Sequence, residues 1–360
     1  MTLFQKAKHI NRGKHILFNL TSANSIGPTV HRFNTKGFFT TRPQNKKQGT
    51  VDEWAQGALN KKEEFVEKIY GKPLVYFQST VSPLLPQTYP VPKITRAREV
   101  EEGTELPLNS HLLYFLPNYT EHELSLDGYN EEESPPEPYN QRVWAGGSLT
   151  FSTENPLRVG HTATLVSQID SVKEKYRPIE SGGPLIMVGI KREVFNENGL
   201  SITERRELAY MEKMSPARKN VKPKNEPDFQ HSFVPSNISL FRYSALTWNS
   251  HLIHYDFNYA NKVEKHPNLL VHGPLTCTLL LENLRCNLPT GYKVHTFSYR
   301  AVSPLYVKSK MTLCGKWNAE QKQMLDAGDR PDQLKCELWA INDEDGLAMQ
   351  GTATLKRVSL

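Results

Sequence analysis

Between residues 241 and 260 the chain reads FRYSALTWNSHLIHYDFNYA, and in it Asn249, His251, His254 and Asp256 interrupt an otherwise aromatic and aliphatic run. Polar side chains inside an apolar run cost free energy unless they are hydrogen-bonded, so this grouping requires a reason. Three readings of these residues compete. His254 could be a structural histidine whose ring nitrogens are satisfied by neighbours. His251, His254 and Asp256, with His272, could form a metal site, because two histidines and a carboxylate can make a facial triad. Against this, the sequence holds neither an HExxH motif nor a CxxC pair. In the third reading His254 is a general base, since an imidazole that titrates near pH 6.5 can accept and return a proton near neutrality.

A second segment, VEKHPNLLVHGPLTCTLLLENLRC (263–286), supplies what the third reading needs. His272-Gly273-Pro274 precedes an apolar run of helical length, and proline suits the first turn of a helix. Gly273 would then sit where backbone N–H groups lack intrahelical partners and the helix dipole is positive. Such an end can stabilise a developing oxyanion.

The elements that must position these residues form an echo. GSLTFSTENPLRVGHTATLVSQI (147–169) and HTFSYRAVSPLYVKSKMTLCGKW (295–317) each read as two strands around a Pro-containing turn. LIMVGIKREVFNENGLSITERRELAYM (185–211) and LKCELWAINDEDGLAMQGTATLKR (334–357) each read as a hairpin closed at a glycine. A repeated run of strands implies a duplicated α+β unit. SPARKNVKPKNEPDFQ (215–230) has the charge and proline content of a linker. VDEWAQGALNKKEEFVEKIYGK, from Val51 to Lys72, reads as a surface helix, and Pro83, Pro86, Pro90 and Pro92 interrupt the stretch after it.

The net charge of +6 is unevenly spread. Residues 1–51 contain nine Lys or Arg and no acid; without those nine, 35 basic residues face 38 acidic ones. A Ser/Thr-bearing basic leader without acids has the composition of a mitochondrial transit peptide, expected here over 1–45. The remainder has no basic surplus for nucleic acid, and no apolar run is long enough for a membrane span. Four cysteines (277, 286, 314 and 336) without close pairing suit a reducing compartment. Gly146-Gly147 reads as a close-approach feature, since no phosphate-binding glycine motif occurs, and no nucleophile elbow suggests a thioesterase.

The residues around His254 resemble the MaoC-type hydratases and dehydratases, whose signature is Asp, four residues, His-x-Asp, then His-Gly and an apolar helix about eighteen residues on. Here Asn249, His254 and Asp256 occupy the first positions, and VHGPL (271–275) matches the turn. LLYFLP (112–117), LDGY (126–129) and RVWAGGSLTF (142–151) are similar to the double-hot-dog branch that includes mitochondrial 3-hydroxyacyl-thioester dehydratases of type 2. The likeness spans roughly residues 75 to 358.

It implies an α+β double hot-dog fold of two antiparallel sheets, each wrapped around a central helix. The implied organisation is a non-catalytic unit at 52–214, a linker at 215–232 and a catalytic unit at 233–360. The implied activity is a (3R)-hydroxyacyl-thioester dehydratase, reversible as a trans-2-enoyl-thioester hydratase, of type II fatty acid synthesis in the mitochondrial matrix. Its substrate is an acyl thioester of acyl carrier protein or CoA, with no metal or organic cofactor, in a monomer or homodimer. By carry-over His254 is the acid/base and Gly273 N–H the oxyanion donor, while Asn249, which cannot accept a proton, holds water or hydroxyl. His272, Trp248, Tyr243 and Asp256 are expected to contact or shape the substrate site. Arg242, Arg300 and Lys308 could meet the carrier's acidic surface. The alternatives are an acyl-CoA hydratase for a branched or dicarboxylic group, and a non-catalytic thioester-binding protein.

Overall fold

Ten strands form a single antiparallel sheet in the order β1-β3-β4-β5-β2-β7-β10-β9-β8-β6. The computed structural model describes residues 49–90, 92, 98–130, 133–212 and 220–359, within one unit spanning Gln44–Leu360. The leader expected at 1–45 and residues 215–219 of the expected linker lie outside the described residues.

The N-terminal half contributes β1 (Lys62–Lys68), β2 (Gln141–Phe151), β3 (Thr162–Lys175), β4 (Leu185–Asn196) and β5 (Gly199–Met211). The C-terminal half contributes β6 (Phe229–Phe233), β7 (Tyr292–Ala301), β8 (Met311–Trp317), β9 (Gln333–Ile341) and β10 (Leu347–Arg357). Each half runs through its strands in the same order: edge, third, fourth, fifth, second. The sequence echo is therefore a structural one, and the fold is the double hot-dog. The two halves join where the echoed strands meet, with Leu149 opposite Phe297 and Thr150 opposite Thr296. Hence the two expected sheets are one continuous sheet. Gly146 makes this close approach possible, because a Cβ there would lie 2.5 Å from the carbonyl oxygen of Tyr299 on β7.

The C-terminal half wraps around α4 (Gly273–Arg285), in which every residue from Leu275 to Leu284 is buried. A helix that is buried on all sides belongs in the middle of a core. The N-terminal half has no such helix among its described residues. It carries α1 (Val51–Leu59), α2 (Gly71–Val81) and, before β2, only short 3₁₀ turns such as Ser110–Leu113. The prolines at 83, 86, 90, 107 and 117 explain the difference, since each removes a helical donor and crowds the preceding turn. Its place in the core is taken by packing across the halves, because Phe77, Leu113 and Tyr114 belong to the same apolar cluster as the leucines of α4.

The helix expected over residues 51–72 is three elements. Thr50 caps α1 through the Glu53 N–H, with the reciprocal Glu53 contact of a capping box, and the helix ends at Asn60. Lys62–Lys68 then alternates between exposed and half-buried residues as an edge strand on β3. Charge content suggested helix there, whereas the two-residue period around Phe65 specifies strand. The stretch expected as linker also runs into a strand, β6, which pairs with β8.

Candidate active site

The site is built by chain reversal after α3 (Asn237–Leu246). Thr247 closes the helix, Trp248 takes a left-handed φ of 52°, and the Asn249 N–H returns to the Ser244 carbonyl at 2.8 Å. The Asn249 side-chain oxygen then accepts the His251 N–H at 3.1 Å, and a 3₁₀ turn over Leu252–His254 brings His254 inward. The Asp256 carboxylate accepts the Tyr259 N–H at 3.0 Å and so caps the adjoining π-helical turn.

His254 is buried, and its Nδ1 lies 2.9 Å from the Leu270 carbonyl oxygen. A carbonyl can only accept, so Nδ1 carries the proton and Nε2 presents a lone pair. The Leu270 N–H in turn donates to the Ile253 carbonyl, which locks the two segments together three residues ahead of Gly273. Burial, followed by the neighbouring His272 and His251, pushes the His254 pKa well below the usual imidazole range. The ring is therefore neutral at pH 7 and available as a base.

His272 stacks on His254 at 3.6 Å between ring centroids and bonds Ser244 Oγ through Nε2 at 2.8 Å. Burial drives its pKa to about 3, so it too is neutral, and its Nδ1 has no partner. Tyr243 packs edge-on against His272 at 5.1 Å. Gly273 is the first residue of α4, with His272 at the N-cap and Pro274 next, so its N–H has no helical acceptor.

The N-terminal half closes the site. A Cβ on Gly273 would stand 3.2 Å from Cβ and Cγ of Trp144, so that indole lies directly against the helix end. Trp144 is held by its Nε1 donating to Tyr299 Oη at 2.9 Å and by the Arg206 guanidinium over its ring at 5.2 Å. From below, Asp127 and Gly128 of the LDGY loop support residues 250–252. The Leu252 N–H donates to the Asp127 carbonyl, and the Ser250 hydroxyl donates to that of Gly128. At Gly128, with φ of 80°, a Cβ would come within 2.2 Å of the Ser250 carbonyl oxygen.

A cavity opens between the halves. Leu112, Tyr114, Phe115 and Leu165 line it from one side, and Tyr243, the half-buried Asn249 and Pro274 from the other. Trp248, 62% exposed, stands at its mouth. Of the residues expected from the sequence, Tyr243, Asn249 and Trp248 line the cavity; His254 and His272 are stacked behind Tyr243 and, like Gly273 beside Pro274, are not part of its lining; and Asp256 is engaged with backbone. Among the described residues no three His, Cys, Asp or Glu side chains converge as a metal site, and no helix is long and apolar enough to cross a membrane. All four cysteines are free.

Sequence reasoning missed a buried charge network on the cavity wall. Glu204 accepts from Arg206 (2.6 and 3.0 Å) and Arg192 (3.0 Å), and contacts His111 Nε2 at 3.1 Å. Burial opposes ionisation of Glu204, but the two arginines hold its pKa well below the ordinary carboxylate range. The signal was present. Arg192 and Glu204 are directly opposed across β4 and β5, and Glu204 and Arg206 share one face at a spacing of two.

The family model for hydroxyacyl-thioester dehydratase type 2 matches residues 109–307, more than half of the chain. The chain belongs to that family. It is 34% identical over 223 residues to a mesaconyl-C(4)-CoA hydratase of Chloroflexus aurantiacus, covering 60% of this chain and 76% of the relative. Identity is 32% over 235 residues to the mitochondrial hydroxyacyl-thioester dehydratase type 2 of Schizosaccharomyces pombe, covering 59% and 78%. A MaoC-like dehydratase from Phytophthora capsici shares the fold with a TM-score of 0.57 at 15% identity, covering 87% of this chain and all of that one. The enzyme is thus a hydro-lyase acting on acyl thioesters.

Proposed function

We propose that the chain is a (3R)-hydroxyacyl-thioester dehydratase in which His254 Nε2 exchanges the Cα proton and the Gly273 N–H stabilises the enolate-like thioester oxygen. The observation that supports this most is the fixed tautomer of His254, a neutral base with its lone pair free, its partner Leu270 three residues ahead of a helix end that the other half covers. Acid–base help of this kind typically contributes ~10²–10⁴ in rate and an oxyanion donor about 10²–10³. Asn249 holds the hydroxyl or water through its amide. The unit at 233–360 supplies the base and the oxyanion donor, and the unit at 52–214 supplies the acyl-facing wall, so one chain completes a site without a second copy. No residue is assigned a metal or organic cofactor.

The acid-free basic leader, together with mitochondrial relatives in fission yeast and budding yeast, supports a mitochondrial matrix enzyme. In that setting we assign it to type II fatty acid synthesis, with the substrate carried as a thioester of acyl carrier protein. The test compares (3R)-hydroxyacyl and enoyl thioesters of carrier protein and of CoA: a higher kcat/KM on the carrier forms is expected, and equal or better use of CoA forms would reject the carrier assignment. A second reading rests on Arg192 and Arg206, which line the cavity and face both Glu204 and Glu133. Such a wall could face the free carboxylate of a dicarboxylic acyl group, as in the Chloroflexus relative's substrate. Faster turnover of mesaconyl-C(4)-CoA than of straight-chain enoyl thioesters would favour it.

A further inference from the structure

Dehydration moves two protons, one from Cα and one onto the departing C3 hydroxyl, and Asn249 can serve neither step because an amide neither takes nor gives a proton near neutrality. A second titratable group stands beside His254. His251 is buried and meets the His254 ring edge-on, 5.6 Å between centroids. Its Nε2 lies 3.2 Å from Asp127 Oδ2, and Asp127 belongs to the other half of the chain. No hydrogen bond engages Nδ1 of His251 among the described residues.

Resting on the dehydratase reading, we propose that His251 is the second proton-transfer residue of this site and that Asp127 is its positioning residue. In dehydration the Cα–H bond breaks and its proton passes to His254 Nε2, while the electron pair forms the C2=C3 double bond. The C3–O bond breaks, and the hydroxyl leaves as water with the proton from His251 Nδ1. His254 ends as imidazolium and His251 neutral, and one proton returned through solvent from the first to the second restores the enzyme. Hydration is the reverse. Asn249, whose side-chain oxygen is occupied by the His251 N–H, keeps its amide donors for the hydroxyl.

The surroundings fit this role. A carboxylate 3.2 Å from Nε2 stabilises the imidazolium of His251 by charge pairing. Asp127 is itself fixed by Arg142 at 2.9 Å, the Tyr129 N–H at 3.2 Å and the Ser125 hydroxyl. Burial works against the Asp127 charge, yet the bond with His251 and the charge of Arg142 hold its pKa well below the usual range. The groups facing His251 are Asp127, Arg142 and the edge of Tyr129 from the N-terminal half, and His254 and His266 from the C-terminal half. Tyr259 and Glu264, hydrogen-bonded to each other at 2.9 Å, act on Asp127. Burial lowers the His251 pKa below the ordinary imidazole range and Asp127 offsets this only in part, so the imidazolium that donates is the minor form near neutrality and the carboxylate sets its fraction.

The test is the dehydration of (3R)-3-hydroxybutyryl-CoA by the full chain from pH 5 to 9 for wild type, His254→Ala, His251→Gln, Asp127→Asn and Arg142→Gln, with melting temperatures. His251→Gln and Asp127→Asn should lower kcat about 10- to 100-fold with KM within about twofold, the lower part of the usual acid–base range. Asp127→Asn should also move the alkaline limb of kcat to lower pH, because the imidazolium loses its counter-charge. Arg142→Gln breaks the same ion pair but leaves the His251 contact, and should cost less kcat than Asp127→Asn at similar stability. If wild type is active, His254→Ala dead, and the His251 and Asp127 variants keep wild-type kcat and pH profile, the inference fails and the dehydratase reading stands. Equal kcat loss and equal profiles in Arg142→Gln and Asp127→Asn would reduce Asp127 to a structural ion pair and overturn the inference too. A wild type inactive on every thioester would overturn the reading beneath it.

Discussion

Gly273→Ala separates the chemical role of the helix end from its structural one. A methyl there would approach Cβ and Cγ of Trp144 to 3.2 Å and Cδ1 to 3.4 Å, closer than ordinary contact. The indole cannot swing away freely, since Tyr299 Oη holds its Nε1 and Arg206 covers its face. Overpacking of this kind costs about 1–3 kcal/mol, and alanine's better helix propensity returns up to ~1 kcal/mol. The net loss of stability is then about 0–3 kcal/mol, or at most about 12 °C in melting temperature at 2–4 °C per kcal/mol. Relief of the contact shifts the start of α4 by a few tenths of an ångström relative to His254, and oxyanion donors act only in close geometry. The expected loss is therefore near that of removing the donor, about 10²–10³ in kcat. The assay is enoyl-thioester hydration with a parallel thermal melt. A folded Gly273→Ala enzyme with kcat within threefold of wild type would refute the oxyanion role. Recovery of part of the activity on adding Trp144→Phe would show that the indole transmits the effect.

The buried charges set further expectations. Glu204→Gln leaves Arg192 and Arg206 without their carboxylate and should destabilise the fold by about 3–5 kcal/mol at pH 7, measured by urea denaturation. Because the folded Glu204 pKa is depressed, its contribution is complete above the unfolded value of about 4.3 and fades as pH falls through the folded value, so the gap between variant and wild type should narrow below pH 4. A constant gap down to the acid transition would contradict that origin. For His254 the depressed pKa keeps the base neutral well below pH 6.5, so the acid limb of kcat/KM for dehydration should lie below 6.5; a limb at or above 6.5 would identify a different, unshifted base.

Much of this molecule was legible in its sequence because the signals were periodic or punctuated. The paired hairpins closed by Asn-Glu-Asn-Gly and Asp-Glu-Asp-Gly became β4–β5 and β9–β10, and the TFS echo marks the strands that join the halves. His272-Gly273-Pro274 opened α4 as its residue types require. Residues 51–72 were misread because abundant Lys and Glu suit a helix surface, while the alternation around Phe65 is short. The lack of a central helix among the described residues of the N-terminal half was written in the prolines after Val81 but obscured by the repeat, which suggested two equal halves. Asp127 lay within the LDGY motif, but its partner His251 was not legible in the sequence. Asp127 lies 124 positions before His251, and the two meet because the Asp127 and Gly128 carbonyls accept from the Leu252 N–H and the Ser250 hydroxyl across the halves. Glu204 with its arginines was visible as opposed strand charges, but on a strand such residues normally mark a solvent face.

The central claim is that His254 is the proton-transfer base of a 3R-specific dehydratase. The most direct measurement is hydration of trans-2-enoyl thioesters, followed by loss of conjugated-thioester absorbance, for wild type and His254→Ala, with the product's configuration assigned. The account predicts 3R product from wild type and a loss of at least about 10² in kcat for a variant that melts like wild type. A 3S product, or a His254→Ala enzyme as fast as wild type, would contradict it.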